Sequence, residues 1–543
     1  MYQEPMTDPL TKRLAVAAFL FMLLLAFVAG QWASHGLQWG AVVDSYRDAA
    51  YVRGMLEGHY GEDPTYKGEW MWYTPLIFWI ETAIVKITGL PVDTVLAQAG
   101  TYLNLFGPIA FFAMVWWFFG PVIAVAASAS FFFFISGEEP GWAVATYSPW
   151  LLPVSFCQVF FYVELILIDR AIRSERWGPS IAAGAGAGIT FLGHAAPAFI
   201  SVLLIAVLTL GAMRTLWIGK DRPKMWHRFL LASVSALAFL VTSFPMTWYV
   251  VGKYGMHNLN RAPFLFTYYA LTLRNASMFL AHNVSLINLF AIVGIALIAR
   301  RYGGRPRSIM LWWAVICGVL LVYAYLVAAL EQNYGIQLPG TVPTFHYYFY
   351  LKACMSVGAG IAFVHGIAWI VSRPKRGKGL RTLSERSSAL LIMGTALMLV
   401  LLVYPSYAHR MDLADTRERS VRIMENKDGT EVGAWISANT EWNAVVLCDE
   451  TLSMWPVMST ARKVVATANT MCNPYVDHFL RVKDRDRMMR ALATADPDAI
   501  DLLGKYGVTH LLMPTDEEHG LPQLNVLFPH EVFRNAGFVI RAR

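Results

Sequence analysis

Charge is scarce in this chain. Only 15% of its 543 residues are Asp, Glu, Lys or Arg, and 56% are hydrophobic, whereas soluble domains carry roughly 25% charged residues. A soluble or disordered protein is excluded, and a polytopic membrane protein is implied. The net charge of +7 falls mostly in short basic loops between apolar runs, where the positive-inside rule accounts for it; no nucleic acid partner is called for. Cysteine is sparse as well. Of the five, Cys157, Cys317 and Cys354 lie inside apolar runs as small packing groups, and no spacing resembles a zinc site. Cys448 and Cys472 lie nearer the C-terminus, in a segment whose compartment permits a disulfide without requiring one. A cleavable signal is lacking too: Lys12-Arg13 leads straight into an apolar run with no small-residue cleavage pattern, so the first helix is expected to remain as an anchor.

What is present is a succession of apolar runs. About 20 such residues cross a bilayer, and runs at 14–31, 95–118, 121–136, 147–168, 179–192, 197–213, 228–250, 284–299, 309–330, 350–371 and 388–405 supply about eleven spans. The run 75–88 is short for a span and fits a helix lying in the interface. If it crossed, every later basic loop would land on the wrong side. With it flat, Arg170, Arg173 and Arg176, then Arg300 and Arg301, then Arg373 and Lys375 all face the cytoplasm. The N-terminus is then cytoplasmic and the C-terminal region extracytoplasmic, in a plasma (inner) membrane protein.

From residue 409 charged residues become frequent, and about 130 residues remain, enough for one modest soluble domain. The pattern predicts helices at 430–439, 475–482, 484–494 and 497–506, strands at 444–448, 463–467 and 508–513, and an edge strand at 538–543. The expected fold class is a polytopic α-helical membrane protein with a C-terminal soluble α/β domain. The expected division is a membrane domain at 1–408, with a first outer loop at 32–94, and a periplasmic domain at 409–543.

The first outer loop carries the chemistry. Asp44 and Asp48 are four apart in the pattern Asp44-Ser45-Tyr46-Arg47-Asp48-Ala49-Ala50-Tyr51, so a helix starting near Asp44 places both on one face. A carboxylate there can take a proton from an attacking hydroxyl, and burial moves such a group's pKa toward neutral. A purely structural explanation is also open: Asp44 as a helix cap and Asp48 as a solvated residue. Downstream come Leu56-Glu57-Gly58 and the turn Tyr73-Thr74-Pro75-Leu76.

These motifs in this order resemble the GT-C superfamily of membrane glycosyltransferases, which includes oligosaccharyltransferase catalytic subunits, protein O-mannosyltransferases, aminoarabinose transferases and mycobacterial arabinosyltransferases. The likeness extends over nearly the whole chain through a first outer loop with flat helices, many spans and a terminal α/β domain. It implies a polyprenyl-phosphate-linked sugar donor and inversion at the anomeric carbon by an acceptor from a glycan, lipid-linked saccharide, lipid A or protein hydroxyl. In that family an acidic residue of the first outer loop is the base or acceptor-positioning group, a position matched here by Asp44 and secondarily by Asp48.

A departing phosphate needs cations. His194, Arg261, Arg274, His346 and Lys352 stand on the expected outer side, the loop residues Arg261 and Arg274 as weaker candidates because a loop arginine is usually only solvated, and Lys352 could equally snorkel and His194 could cap a helix. The oligosaccharyltransferase branch also binds a divalent metal through outer-loop acids. Glu138, Glu139 and Glu331 are the corresponding candidates here, and oxygen ligands suit Mg or Mn, but adjacent Glu138-Glu139 does not reproduce the branch's pair spaced by one. The Trp-Trp-Asp-Tyr-Gly motif of that branch is absent. Two other readings stay open, a lipid or saccharide transporter or flippase and a non-catalytic polysaccharide-assembly component. A transporter would show repeated halves and charges deep in its spans, whereas no repeat is evident and ionisable residues gather at span ends.

Overall fold

Helices follow the apolar runs. Asp8 caps the first of them, α1 (Pro9–Ser34), its carboxylate accepting the Thr11 N–H at 2.8 Å. The structure, a computed structural model, describes residues 8–40, 44–134, 145–265, 277, 281, 283–340, 342–372, 384–494 and 496–543. Among these, seven helices are long and apolar enough to cross a membrane: α1, then Val92–Phe119, Ala195–Ile218, Arg222–Lys253, Gly304–Tyr334, Phe345–Val371 and Arg386–Glu425. The chain is an integral membrane protein. Four other predicted spans form shorter helices, Pro121–Phe134, Gln158–Ser174, Trp177–Gly193 and Leu286–Arg301. The run 75–88 forms α3 (Leu76–Thr88), whose 13 residues rise only about 20 Å, less than the roughly 30 Å of a hydrocarbon core.

The chain divides into two compact units that interleave in sequence. One comprises Met1–His35, Gly100–Phe244 and Phe264–Ala414; the other comprises Gly36–Ala99, Pro245–Pro263 and Asp415–Arg543. The linear division at 408 and 409 therefore differs from the compact units, which group the first loop with the C-terminal region. The first unit is a helical bundle held by small residues. A Cβ at Gly294 would lie 1.7 Å from the Gly358 carbonyl, so Leu286–Arg301 and Thr344–Ser372 approach backbone to backbone, as helices do in a bilayer where packing replaces the hydrophobic effect. Ionisable residues are not confined to helix ends in this unit. Glu164, mid-way along Gln158–Ser174, is fully buried and neither carboxyl oxygen has a hydrogen-bond partner.

The second unit is built on a five-stranded sheet of β1 (Val445–Leu447), β2 (Lys463–Val464), β3 (Val508–Pro514), β4 (His530–Arg534) and β5 (Phe538–Ala542), in the order β2-β1-β3-β5-β4. The first three strands in that order are parallel, and β5 pairs antiparallel with both β3 and β4. Strand β4 was not expected, because its side chains are mostly exposed and leave little apolar signal. It displaces β5 from the edge: β5 is a central strand closed by the turn at Asn535–Gly537. The two helices expected at 475–482 and 484–494 are one, His478–Ala491, capped by Asp477. Cys448 and Cys472 are buried, unpaired thiols in one core cluster.

Strand alternation sorts the core. Val446 faces a cluster with Val432, Ile436, Trp442 and Trp455, while Val445 and Leu447 face Met488, Leu503 and Leu511 on the other side. The first of these clusters also contains Ala50 and Tyr66 from the first loop. The loop bonds to the β2 edge of the sheet: Val464 N–H donates to the Thr65 carbonyl at 2.9 Å. Beside that bond, Asp63 is fully buried, accepting from Thr65 N–H at 2.8 Å and Asn473 Nδ2 at 2.9 Å. Lys463 donates to the Asp63 carbonyl at 3.0 Å and lies 3.4 Å over the Trp442 ring. Arg462 pairs with Glu57 at 2.9 Å.

Candidate active site

The Asp44 motif folds as α2 (Ser45–Leu56), which packs against α3 and α4 (Val92–Gln98). Asp44 occupies the N-cap position with helical φ −66° and ψ −22°, and its side chain makes no capping hydrogen bond. Its carboxylate pairs instead with Arg47 one turn on, Oδ1 to Nη1 3.2 Å. The Asp44 side chain stays 38% exposed, whereas those of Arg47 and Asp48 are 4% and 2% exposed. Asp48 Oδ1 receives Arg47 Nε at 2.9 Å and lies 2.7 Å from Nη2. The guanidinium rests 3.6 Å over the Tyr73 ring, which gives the aromatic-Pro-Leu turn a direct part in the site. Asp44 thus makes no capping bond and Asp48 is not solvated.

Helix α3 adds a third carboxyl. Glu81 is fully buried, and neither of its oxygens has a hydrogen-bond partner. It lies within electrostatic reach of Asp48 and Arg47. Burial pushes the Asp48 carboxyl up to about 7 against the opposing pull of Arg47. Burial and the neighbouring Asp48 charge hold Glu81 well above the usual carboxylate range.

The predicted cationic residues divide between the units. In the first, His194 is buried where Trp177–Gly193 gives way to Ala195–Ile218, and its Nδ1 accepts the Ala196 N–H at 3.2 Å. Its ring centroid is 4.4 Å from that of His346. Lys352 is fully buried and does not snorkel: Nζ donates to the side-chain oxygens of Asn283 and Asn288 at 3.0 and 3.3 Å and lies 4.9 Å over the Tyr348 ring. The structure brings His194 and His346 together and seats Lys352 among amides. In the second unit Arg261 is half-buried ahead of the short helix Ala262–Leu265. Glu331 is half-buried near the end of Gly304–Tyr334. Glu138, Glu139 and Arg274 lie outside the described residues. Among the described residues no group of three His, Cys, Asp or Glu could hold a metal ion.

No protein-family model matches the chain, and no curated protein matches it. Solved structures do. ArnT from Cupriavidus metallidurans bound to undecaprenyl phosphate superposes with a TM-score of 0.57 at 14% identity, over 96% of this chain and 97% of that one. The chain has the GT-C fold. An oligosaccharyltransferase from Archaeoglobus fulgidus, AglB, in complex with an inhibitory peptide and a dolichol-phosphate, matches with a TM-score of 0.53 at 13% identity, over 94% of this chain and 70% of that one. The same organism's oligosaccharyltransferase in the apo form matches with a TM-score of 0.51 at 14% identity, over 91% and 69%.

Two residues of the site escaped sequence reasoning. Arg47 stood in plain view between the two aspartates, and its position three after one and one before the other was the available signal. Glu81 is the one charged residue in the run Leu76–Val85, where an acid costs too much to be incidental. Arg47 also carries a stability prediction. Replacing it with Met removes the one partner cation that Asp48 has among the described residues, a loss of about 3–5 kcal/mol. Because protonation of Asp48, whose carboxyl is pushed up to about 7, relieves the buried imbalance, the deficit of Arg47→Met in thermal unfolding should shrink as pH falls from 8 to about 5. Equal melting curves for variant and parent across that range would refute the pairing.

Proposed function

We propose that the protein is an inverting glycosyltransferase that moves a sugar from a polyprenyl-phosphate donor to a hydroxyl of a glycan, lipid-linked saccharide, lipid A or protein on the outer face of the membrane. The observation that carries this reading is Asp44: a partly exposed carboxylate, freed from capping and oriented by Arg47, in the first loop of a GT-C fold. The acceptor oxygen attacks the anomeric carbon, its proton passes to Asp44, and the bond to phosphate breaks with its electron pair on the departing oxygen. A phosphate leaves without needing a general acid but needs its charge held; His194, His346, Lys352 and Arg261 are assigned to that task, with the His194–His346 contact in support. Asp48 holds Arg47 in place rather than acting as a second base. That the solved ArnT holds undecaprenyl phosphate and the archaeal enzyme a dolichol-phosphate supports a lipid-phosphate donor.

The same reading takes about eleven spans, the N-terminus in the cytoplasm and residues 409–543 in the periplasm, where the terminal domain helps to select the acceptor. Mg or Mn is assigned to Glu138, Glu139 and Glu331. Its test is chelation: EDTA should abolish transfer and either metal restore it, and undiminished transfer in EDTA removes the metal from the reaction.

Purified protein in vesicles with labelled polyprenyl-phosphate sugar and candidate acceptors tests the reaction itself. Donor consumption with label in the acceptor is expected. The buried, unpartnered Glu164 favours one second reading, a transporter with an intramembrane acid; label crossing the bilayer without donor cleavage would establish that reading instead.

A further inference from the structure

The buried contact of α2 with α3 contains one cation and two carboxyls. Arg47, Asp48 and Glu81 are all sealed from solvent, and Asp44, the remaining acid on Arg47, is at the exposed rim. Arg47 can balance one buried negative charge. A second ionised carboxyl here would be an uncompensated buried charge, which costs several kcal/mol. Asp48 is the one that Arg47 grips at hydrogen-bond distance, whereas Glu81 has no hydrogen-bond partner on either oxygen.

We propose that Glu81 is a positioning residue for the transfer reaction: it carries a proton at working pH, and by staying neutral it leaves Arg47 divided between Asp48 and Asp44. Ionised Glu81 would compete for the guanidinium, draw it inward from Asp44, and leave the base without its orienting partner. The charged groups that bear on Glu81 are Asp48 and Arg47 of α2; Asp44 and Tyr73 act on Arg47, the first by its ion pair and the second through its ring. On α4 the acid Asp93 is neutralised by Arg53 through a bidentate pair at 2.5 and 3.1 Å, and on α3 itself Lys86 points to Tyr60. Burial raises both carboxyls and Arg47 opposes the shift in both, but Asp48 alone holds the guanidinium by a hydrogen bond, while neither Glu81 oxygen has a partner. The retained proton is therefore assigned to Glu81.

The role of Glu81 in transfer rests on the glycosyltransferase reading, but its protonation does not, and the two are tested separately. Infrared difference spectra of purified parent minus Glu81→Gln at pH 7 should show a protonated-carboxyl band lost with the substitution. Identical spectra would mean that Glu81 is ionised and would overturn the proposal. In the transfer assay, Glu81→Gln, which is neutral at every pH, should lack the alkaline fall in kcat, taken relative to its own rate near pH 7, that the parent shows as Glu81 ionises. Glu81→Leu, of similar size and never charged, should share that flat alkaline limb and guards against a folding defect peculiar to Gln. An alkaline limb unchanged in both variants overturns the positioning role. If even the parent transfers no sugar, the glycosyltransferase reading fails while the infrared result still decides the protonation state.

Discussion

Asp44→Asn is expected to lower transfer by roughly 100- to 10,000-fold, the range that a lost general base costs, while leaving the protein folded. The structural side of that expectation is unusually clean. The Asp44 side chain makes no capping bond and is partly exposed, so amide for carboxylate removes little beyond one ion pair, and Arg47 keeps its bonds to Asp48. A thermal melt within a few degrees of the parent together with lost turnover is the predicted pair of results. The KM for donor should change little, because the phosphate contacts are assigned to other side chains. Transfer at the parent rate would remove Asp44 as the base. Asp48→Asn should behave differently, weakening the grip on a buried guanidinium and so lowering stability along with activity.

The second large effect concerns the C-terminal region. Residues 409–543 expressed alone should not fold, giving a poorly dispersed NMR spectrum and rapid proteolysis. Their sheet packs on Tyr66 and Ala50 of the first loop, the edge of β2 bonds to Thr65, and Lys463 and Arg462 find their partners at Asp63 and Glu57. Without the loop a buried lysine loses its acceptor and an aromatic core loses a fully buried tyrosine, which by area alone is worth about 2–3 kcal/mol. A well-dispersed spectrum from the fragment would show that it is autonomous. A domain swap meant to test acceptor choice should therefore exchange residues 36–99 together with 415–543; exchange of the C-terminal part alone would test foldability instead.

Sequence periodicity revealed most of the helices because each is apolar over many turns, and α2 with its two aspartates because the four-residue spacing is local. What stayed hidden depends on contacts between distant segments. The exposed strand β4 carried no alternation to detect, and so β5 looked like an edge. Glu81 gave a signal, an acid amid apolar residues, but its meaning needed the packing of α3 on α2. Arg47 drew no reading of its own, because Tyr73, which its guanidinium covers, lies 26 residues further along the chain and meets it only in the fold. The thiols of Cys448 and Cys472 share a core without pairing, which composition and compartment left open.

The bond between Thr65 and Val464 also fixes an order of events during synthesis. Asp63 and Lys463 are separated by 400 residues, and contacts of such range form late because the intervening chain must first be made and placed. The first loop emerges early and then waits for its missing strand while all the later helices are inserted. Residues Ala50, Tyr66 and Asp63 stay unsheltered until the last quarter of the polypeptide arrives. A prematurely terminated chain, however many of its helices it contains, would therefore display a loop that quality-control proteases can recognise and cut, and only a full-length chain can complete the fold on which Asp44 stands.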